Sequence, residues 1–310
     1  MTKHNWSEYQ FIDYLNVKEN EIKDLPKGVS ISTMCASCKL GTKLNLDLIK
    51  QYLPLCSDDI LTVKVNKEEM RTLITNKKKK RRSKKKKNKK CNPFYNQTTV
   101  VVRIYEGDYT DLNNEKKINV KLFRNGSIQI SGLKKIEYTN RALNKLVYRL
   151  SQIKAKIIDS KIEEIKFVDD YDSLGIYDFK VYMINSNYRV NMQIDRSKLY
   201  KLLLKKKIKA QYEKCIRACV IVKYTPPRSN QEEKEVSVFI FEKGNIIITG
   251  ARNIFHIIDS YNYINSILLE HVDDISKKND EEEGKLILSL YEDILKDNNH
   301  KLNLNNVFCY

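Results

Sequence analysis

The chain contains one pattern twice: residues 119–135 read NVKLFRNGSIQISGLKK, and residues 237–253 read SVFIFEKGNIIITGARN. Aligned without a gap, the two stretches are identical at six of seventeen positions, including one phenylalanine and two glycines that recur 118 residues later. Each copy follows an alternating run typical of a β-strand and precedes a helical pattern. A repeat of this kind predicts two pseudo-symmetric halves that form one long surface.

The order of elements predicts an α+β fold in which two pseudo-symmetric repeats form one antiparallel sheet. We expect two long helices to cover one face of the sheet and to leave the other face open. The chain divides into an N-terminal extension (1–27), a first repeat (28–157) with a basic insertion (57–91), an acidic linker (158–176), a second repeat (177–272), and a C-terminal helix and tail (273–310). The last part contains an amphipathic helix pattern from Leu286 to Leu295.

The net charge of +18 is concentrated in one segment. Residues 77–90, KKKKRRSKKKKNKK, hold twelve lysine and arginine residues and no acid. Such a run repels itself and cannot pack into a core. It fits either a tether to nucleic-acid phosphates or a solvated insert that acts as a nuclear-localisation signal, and both roles can hold together. A long pseudo-symmetric surface on a basic chain indicates duplex nucleic acid as the partner.

Several classes of protein are disfavoured. The chain has no apolar run of membrane-spanning length and no signal-peptide pattern, so we expect a soluble intracellular protein. Its seven irregularly spaced cysteines indicate a reducing compartment. Cys35 and Cys38 lie three apart in a strand-like segment and should face opposite sides, while Cys215 and Cys219 occupy a different place in the second repeat. These positions favour isolated thiols over a zinc site.

No catalytic or cofactor motif is present. The chain lacks GxxxxGK[ST] and GxGxxG, and none of its four histidines has the acid and nucleophile spacing of a triad. The linker carboxylates Asp169, Asp170 and Asp172 are more typical of a solvated loop than of a divalent-metal site. We therefore expect no enzymatic activity, no cofactor and no bound metal.

The repeats resemble those of the TATA-box-binding protein family. FKVYMINSNYRVNMQIDRSKL (179–199), YEKCIRACVIVKYTPP (212–227) and VFIFEKGNIIITGAR (238–252) align with the family's second repeat. GTKLNLDL (41–48) and the hairpin 120–132 align with its first repeat, and NPFYNQ after a lysine tract is similar to versions from large nucleocytoplasmic DNA viruses. The resemblance implies a saddle-shaped sheet that binds the DNA minor groove, inserts phenylalanine wedges and bends the duplex; the family is itself the reference example of such bending.

The same resemblance implies roles for individual residues. Phe123 and Phe241 fall on one wedge position in each repeat. The second wedge falls on Gln97 and Arg217, with Phe94, Tyr95 or Ile216 near enough to substitute. The family's two central asparagines fall on Thr33 and Met183, and Cys35 and Asn185 lie two residues on, on the same strand face. The remaining implied DNA contacts are Phe239, Ile247 and Thr249 in the second repeat, Lys121, Gln129 and Ser131 in the first, and the phosphate-contacting Arg103 and Lys223. Glu213 and Ile216 fall on the contact for a transcription factor IIB-like protein.

We therefore expect a monomeric general transcription initiation factor that binds DNA and recruits a factor IIB-like protein and RNA polymerase. It would act in the host nucleus or a cytoplasmic viral factory, with packaging in the virion as a further option. The alternative is a non-promoter DNA-binding or packaging protein that uses the same fold with relaxed sequence preference; the polar Lys121 and Gln129 and the lysine tract favour it. A phenylalanine in a hairpin strand is more often core than wedge, so the burial of Phe123, Phe239 and Phe241 matters.

Overall fold

In the computed structural model of the chain, the described residues are Leu15 and residues 22–65, 69–74, 96–106, 114–158, 161–227 and 235–277. The strands are β1 (Ser30–Lys39), β2 (Ile60–Lys64), β3 (Met70–Thr72), β4 (Gln97–Tyr105), β5 (Glu115–Phe123), β6 (Ser127–Leu133), β7 (Lys154–Ile158), β8 (Lys161–Ile165), β9 (Tyr177–Arg189), β10 (Ala210–Gln211), β11 (Cys219–Tyr224), β12 (Val236–Phe241) and β13 (Asn245–Ala251). The helices are α1 (Leu46–Tyr52), α2 (Ile136–Leu150), α3 (Arg196–Lys205), α4 (Ile254–Glu270) and α5 (Val272–Ile275).

Eleven strands form one antiparallel sheet in the order β10-β11-β12-β13-β9-β1-β6-β5-β4-β2-β3. The order reads outward from the central pair β1–β9 as two matching halves. Thr33 pairs with Asn185, Met34 with Ile184 and Cys35 with Met183. Thr33 and Met183 are equivalent in the two repeats, as are Cys35 and Asn185, so each residue pairs with the equivalent of the other. A pseudo-two-fold axis therefore passes between Met34 and Ile184. The predicted α+β sheet of two pseudo-symmetric repeats is confirmed.

The two long helices lie on one face of this sheet. α2 contacts β4, β5 and β6, and α4 contacts β12 and β13. Alternate strand residues on this side form the core: Val100, Val120, Val222 and Val238 are among its fully buried members. The intervening residues point to the opposite side, which we call the open face. None of the helices in the described part of the chain is long and apolar enough to cross a membrane.

Local sequence explains the repeated turns and short helices. Asn45 caps α1 by accepting from the Leu48 amide at 3.1 Å, and Asp195 caps α3 by accepting from Ser197 and Lys198. Each such cap stabilises a helix by about 1 kcal/mol. Gly126, in the hairpin turn between β5 and β6, has φ of 81°, and a Cβ there would lie 2.1 Å from the Thr42 carbonyl oxygen. Only glycine fits that turn.

The segment 57–91, which the sequence predicted as an insertion, contributes β2 and β3 to the main sheet. β2 pairs with β4 in the first repeat as β10 pairs with β11 in the second. The β2 residues Ile60, Leu61 and Val63 are buried. From β3, the Arg71 guanidinium donates to the carbonyls of Lys50 and Leu53 at 2.7 Å, at the end of α1. The first part of the segment is therefore integral to the first repeat.

Other boundaries also differ from the sequence-based expectation. The hairpin β7–β8 crosses the predicted boundary between the first repeat and the acidic linker. The linker is not a solvated loop throughout, since Phe167 and Val168 are buried. The lysine run 77–90 and the predicted helix 286–295 lie outside the described residues.

Candidate nucleic-acid interface

Strand register sets out the open face as rows of neighbouring side chains. In the second repeat, Ile221, Phe239 and Ile247 are cross-strand neighbours on β11, β12 and β13. In the first repeat, the corresponding row on β4, β5 and β6 is Thr99, Lys121 and Gln129. Directly opposed residues share one face of an antiparallel sheet. The two repeats therefore present the same geometry with different chemistry, apolar in the second and polar in the first.

Phe123 and Phe241 stand at matched ends of β5 and β12, immediately before the hairpin turns. Both rings are half-buried, and neither they nor Phe239 belongs to the hydrophobic core. The preceding residues, Leu122 and Ile240, are buried on the helix side. The alternation of strand side chains thus places these phenylalanines on the open face.

The second wedge position requires a correction. Gln97 pairs with Phe123, whereas the residue that pairs with Phe241 is Cys219 and not Arg217. Arg217 lies in the turn before β11, where its amide donates to the Glu213 carbonyl. The sequence alignment of the repeats matched Arg217 with Gln97, but the pairing of β11 with β12 places Cys219, two residues further on, at the position of Gln97. Neither partner is aromatic, and Phe94 and Tyr95 lie outside the described residues.

Four of the residues singled out from the sequence meet at the pseudo-two-fold axis. Thr33 lies beside Asn185, and Cys35 lies beside Met183. The Thr249 hydroxyl donates to the Asn185 side-chain oxygen at 2.5 Å, and Ser131 pairs with Cys35. While its oxygen accepts from Thr249, the Asn185 side chain also carries an NH₂ group, which is a hydrogen-bond donor. A donor is what the A·T minor groove, which offers only acceptors, requires.

The two basic strand residues are already engaged within the protein. The Arg103 Nε lies 3.1 Å from a Glu115 carboxylate oxygen, and its Nη1 donates to the Ser57 carbonyl at 2.6 Å. The Lys223 ammonium donates to the Ser237 hydroxyl at 2.6 Å. Arg103 pairs with Lys117, whereas Lys223 pairs with Ser237, which corresponds to Asn119 in the first repeat. The two basic residues are therefore not at equivalent positions. The Arg103 guanidinium is therefore ion-paired with a carboxylate of the protein, whereas this contact of Lys223 is to an uncharged hydroxyl.

Sequence reasoning missed residues of the open face that register reveals. Cys219 and Ile221 on β11, and Thr99 and Val101 on β4, lie in the rows with the predicted residues. The period of two along β11 indicates which of its residues share a face. The pairing of Phe241 with Cys219 was needed to assign that face to the open side of the sheet. Cys38 belongs to the core, and burial raises the pKa of its thiol to about 12, while Cys35 lies on the other face. Within the described residues, no group of three or more His, Cys, Asp or Glu side chains could hold a metal.

No protein-family model matches the chain. Over 254 residues, the chain is 35% identical to a protein described as TATA-box-binding protein-like from Acanthamoeba polyphaga mimivirus. The chain belongs to a divergent viral TATA-box-binding-protein-like family. The match covers 77% of this chain and 65% of that relative's length. Among solved structures, the TBP of Methanococcus jannaschii is similar with a TM-score of 0.44 and 15% identity, over 77% of this chain and 95% of that chain.

In this TATA-box-binding-protein-like chain, the turn between β10 and β11 carries the residues expected to contact a partner. The amides of Ile216 and Arg217 donate to the Glu213 carbonyl at 3.0 and 2.8 Å, which closes the turn. Ile216 is 78% exposed, the most exposed of the large apolar residues in the described part of the chain. The turn is thus held by its backbone and presents an apolar side chain to solvent.

Proposed function

We propose that this chain is a general transcription initiation factor that binds the minor groove of duplex DNA with its open face and bends the duplex. The observation that carries the proposal is the pair of half-buried phenylalanines, Phe123 and Phe241. They lie at matched ends of one pseudo-symmetric sheet and outside its core. A pair of apolar wedges on one continuous face has the arrangement needed to unstack two base steps of one site.

The chemistry of the minor groove supports this assignment. The groove shows a degenerate pattern of acceptors, so selectivity must come from apolar contact, groove shape and the ease of deformation. Phe239 and Ile247, the partly exposed members of the apolar row, provide the apolar contact, and Asn185 provides a donor near the centre of the face. The net charge of +18 provides the sequence-independent attraction to phosphates.

The contact with the rest of the transcription machinery is assigned to the turn of Glu213 and Ile216. An exposed isoleucine on a hydrogen-bonded turn suits an apolar contact with a factor IIB-like protein, which would in turn recruit RNA polymerase. We expect Ile216→Asp to abolish binding of the factor IIB-like protein in a pull-down on promoter DNA, with DNA affinity unchanged. Cys215→Asp, in the same turn, is the matched control and should retain the partner. Loss of DNA affinity in Ile216→Asp would contradict this division of labour.

A DNA-binding or packaging protein with relaxed sequence preference is the second candidate. The polar first-repeat row of Thr99, Lys121 and Gln129 favours it, because these side chains suit phosphates and hydration better than an unstacked base step. Selection of bound molecules from a random duplex pool separates the two functions. An A·T-rich motif of fixed length is expected for the initiation factor, and an unenriched pool would favour packaging. The proposed site of action is the host nucleus or a viral factory.

A further inference from the structure

A groove opens on the side of the second repeat, between the C-terminal half of α4 and the loop that follows β9. It has a volume of about 370 Å³ and is mainly apolar, with Tyr188, Val190, Met192, Tyr261, Leu268 and Leu269 in its wall. Leu269 is 75% exposed, and Lys27 and Arg189 stand at the rim. An exposed leucine that extends an apolar groove forms an apolar patch, and such a patch indicates a surface that another segment or molecule covers.

The first repeat shows how the corresponding place is covered. Leu40 and Val190 are equivalent, since their amides donate to the carbonyls of the equivalent turn glycines, Gly126 and Gly244. Leu40 is fully buried, because the chain beyond α2 returns across it. The Gly175 amide donates to the Leu40 carbonyl at 3.1 Å. Tyr171, Leu174 and Ile176 of this returning segment pack against the core. Val190, by contrast, is only partly buried.

The chain beyond α4 begins the same course. Leu44 bridges to Val168 in the first repeat, and its equivalent Ile194 bridges to Ser276 in the second. The Asp169 amide donates to Lys43 at 3.1 Å, and the Lys277 amide donates to Gln193 at 3.0 Å. The described residues end at Lys277, whose amide bonds to the residue that follows Met192 of the groove wall. Residues 278–285, KNDEEEGK, contain no apolar side chain to replace Tyr171 and Leu174.

We propose that residues 286–295, LILSLYEDIL, cover this groove as an amphipathic helix. The apolar residues of the segment recur at helical spacing and include Leu286, Ile287, Leu290 and Ile294. The eight preceding residues can span up to about 26–29 Å, which is ample because the Lys277 amide already bonds to Gln193, the residue next to Met192 in the groove wall. Glu292 and Asp293 complement the charges of Lys27 and Arg189 at the rim. A helix of ten residues is marginal by itself, so the groove would stabilise it.

The test is hydrogen–deuterium exchange, read by mass spectrometry, on the full chain. Ile287→Asp/Ile294→Asp places charges on the apolar side of the segment, and Ser289→Asp/Lys296→Asp places them on the polar side. In the first variant, we expect the exchange protection of amides 261–270 to fall at least ten-fold. In the second variant, it should equal that of the unmodified chain. Leu269→Asp should reciprocally deprotect residues 286–295. It should fold normally, as its far-UV circular dichroism will show, because Leu269 is exposed.

Three results would overturn the proposal. Residues 286–295 could exchange freely in the unmodified chain, or Leu269→Asp could leave their protection unchanged. Alternatively, sedimentation could show a dimer that Leu269→Asp dissociates, in which case a second copy of the chain occupies the groove. None of these results bears on DNA binding, which uses the open face on the other side of the sheet.

Discussion

Replacement of Phe241 by alanine tests whether its ring is a wedge or part of the core. Truncation of a fully buried phenylalanine costs about 3–5 kcal/mol of unfolding free energy. The Phe241 ring is half-buried and outside the core, so we expect Phe241→Ala to cost only about 1–2 kcal/mol. The neighbouring Ile240 is 1% exposed on the helix side, and Ile240→Ala should cost about 2–5 kcal/mol. Urea denaturation of the two variants measures the difference.

The consequence for DNA follows from the asymmetry of the open face. Unstacking a base step costs a few kcal/mol, which an apolar wedge must offset. Phe241 stands beside the apolar row of Phe239, whereas Phe123 stands beside the polar row of Lys121. We therefore expect the sharper kink at the second repeat. Energy transfer between dyes at the ends of a duplex should show a larger loss of bending for Phe241→Ala than for Phe123→Ala. Affinity at low salt should persist in both, because phosphate contacts supply most of it.

Two results would refute this reasoning. If Phe241→Ala destabilises the protein as much as Ile240→Ala, the ring is part of the core and the wedge assignment fails where it is best supported. If Phe123→Ala and Phe241→Ala lose bending equally, the chemistry of the neighbouring rows does not control the kink. Ile240→Val is the matched control, since it alters the core side of the same strand and should leave the bend unchanged.

Two further predictions concern the charged groups of the chain. Deletion of residues 77–90 should flatten the dependence of log affinity on log salt by several units, at about 0.9 per phosphate, and leave the melting temperature nearly unchanged; equal slopes would exclude a phosphate anchor. Lys145 is fully buried, its ammonium donates to the carbonyls of Asp58 and Arg103 at 2.7 and 2.9 Å, and burial lowers its pKa from 10.5 to about 8. Between pH 8 and 10.5 the unfolded chain therefore binds more protons than the folded chain. The unfolding free energy should rise with pH in that window because of this group, by at most about 3 kcal/mol. Lys145→Met should lack this rise when the pH dependence of its unfolding free energy is compared with that of the unmodified chain.

Much of the fold was predictable because local sequence and local structure agree in the hairpins. The repeated glycines mark turns that only glycine can form, and Asn45 marks the start of α1 in the sequence as in the structure. The segment 57–91 was harder to interpret. Its basic tract dominates the composition, and the five residues of β2 are too short a signal by themselves. They form a strand because β4 pairs with them, and that pairing joins Lys64 to Thr99 across the tract.

The amino-acid sequence by itself determined that two equivalent units exist and which residues correspond within the hairpins, because those pairings are local. The tertiary structure decided which side of each strand faces the helices and what lies beside each phenylalanine. Phe241 and Ile240 are adjacent apolar residues, and only packing against α4 separates a surface ring from a core side chain. Likewise, Cys219 rather than Arg217 opposes Phe241 because the pairing of β11 with β12 is set across a long loop. A strand's side chains alternate with a period of two, so such register is fixed by the whole sheet and not by any one segment.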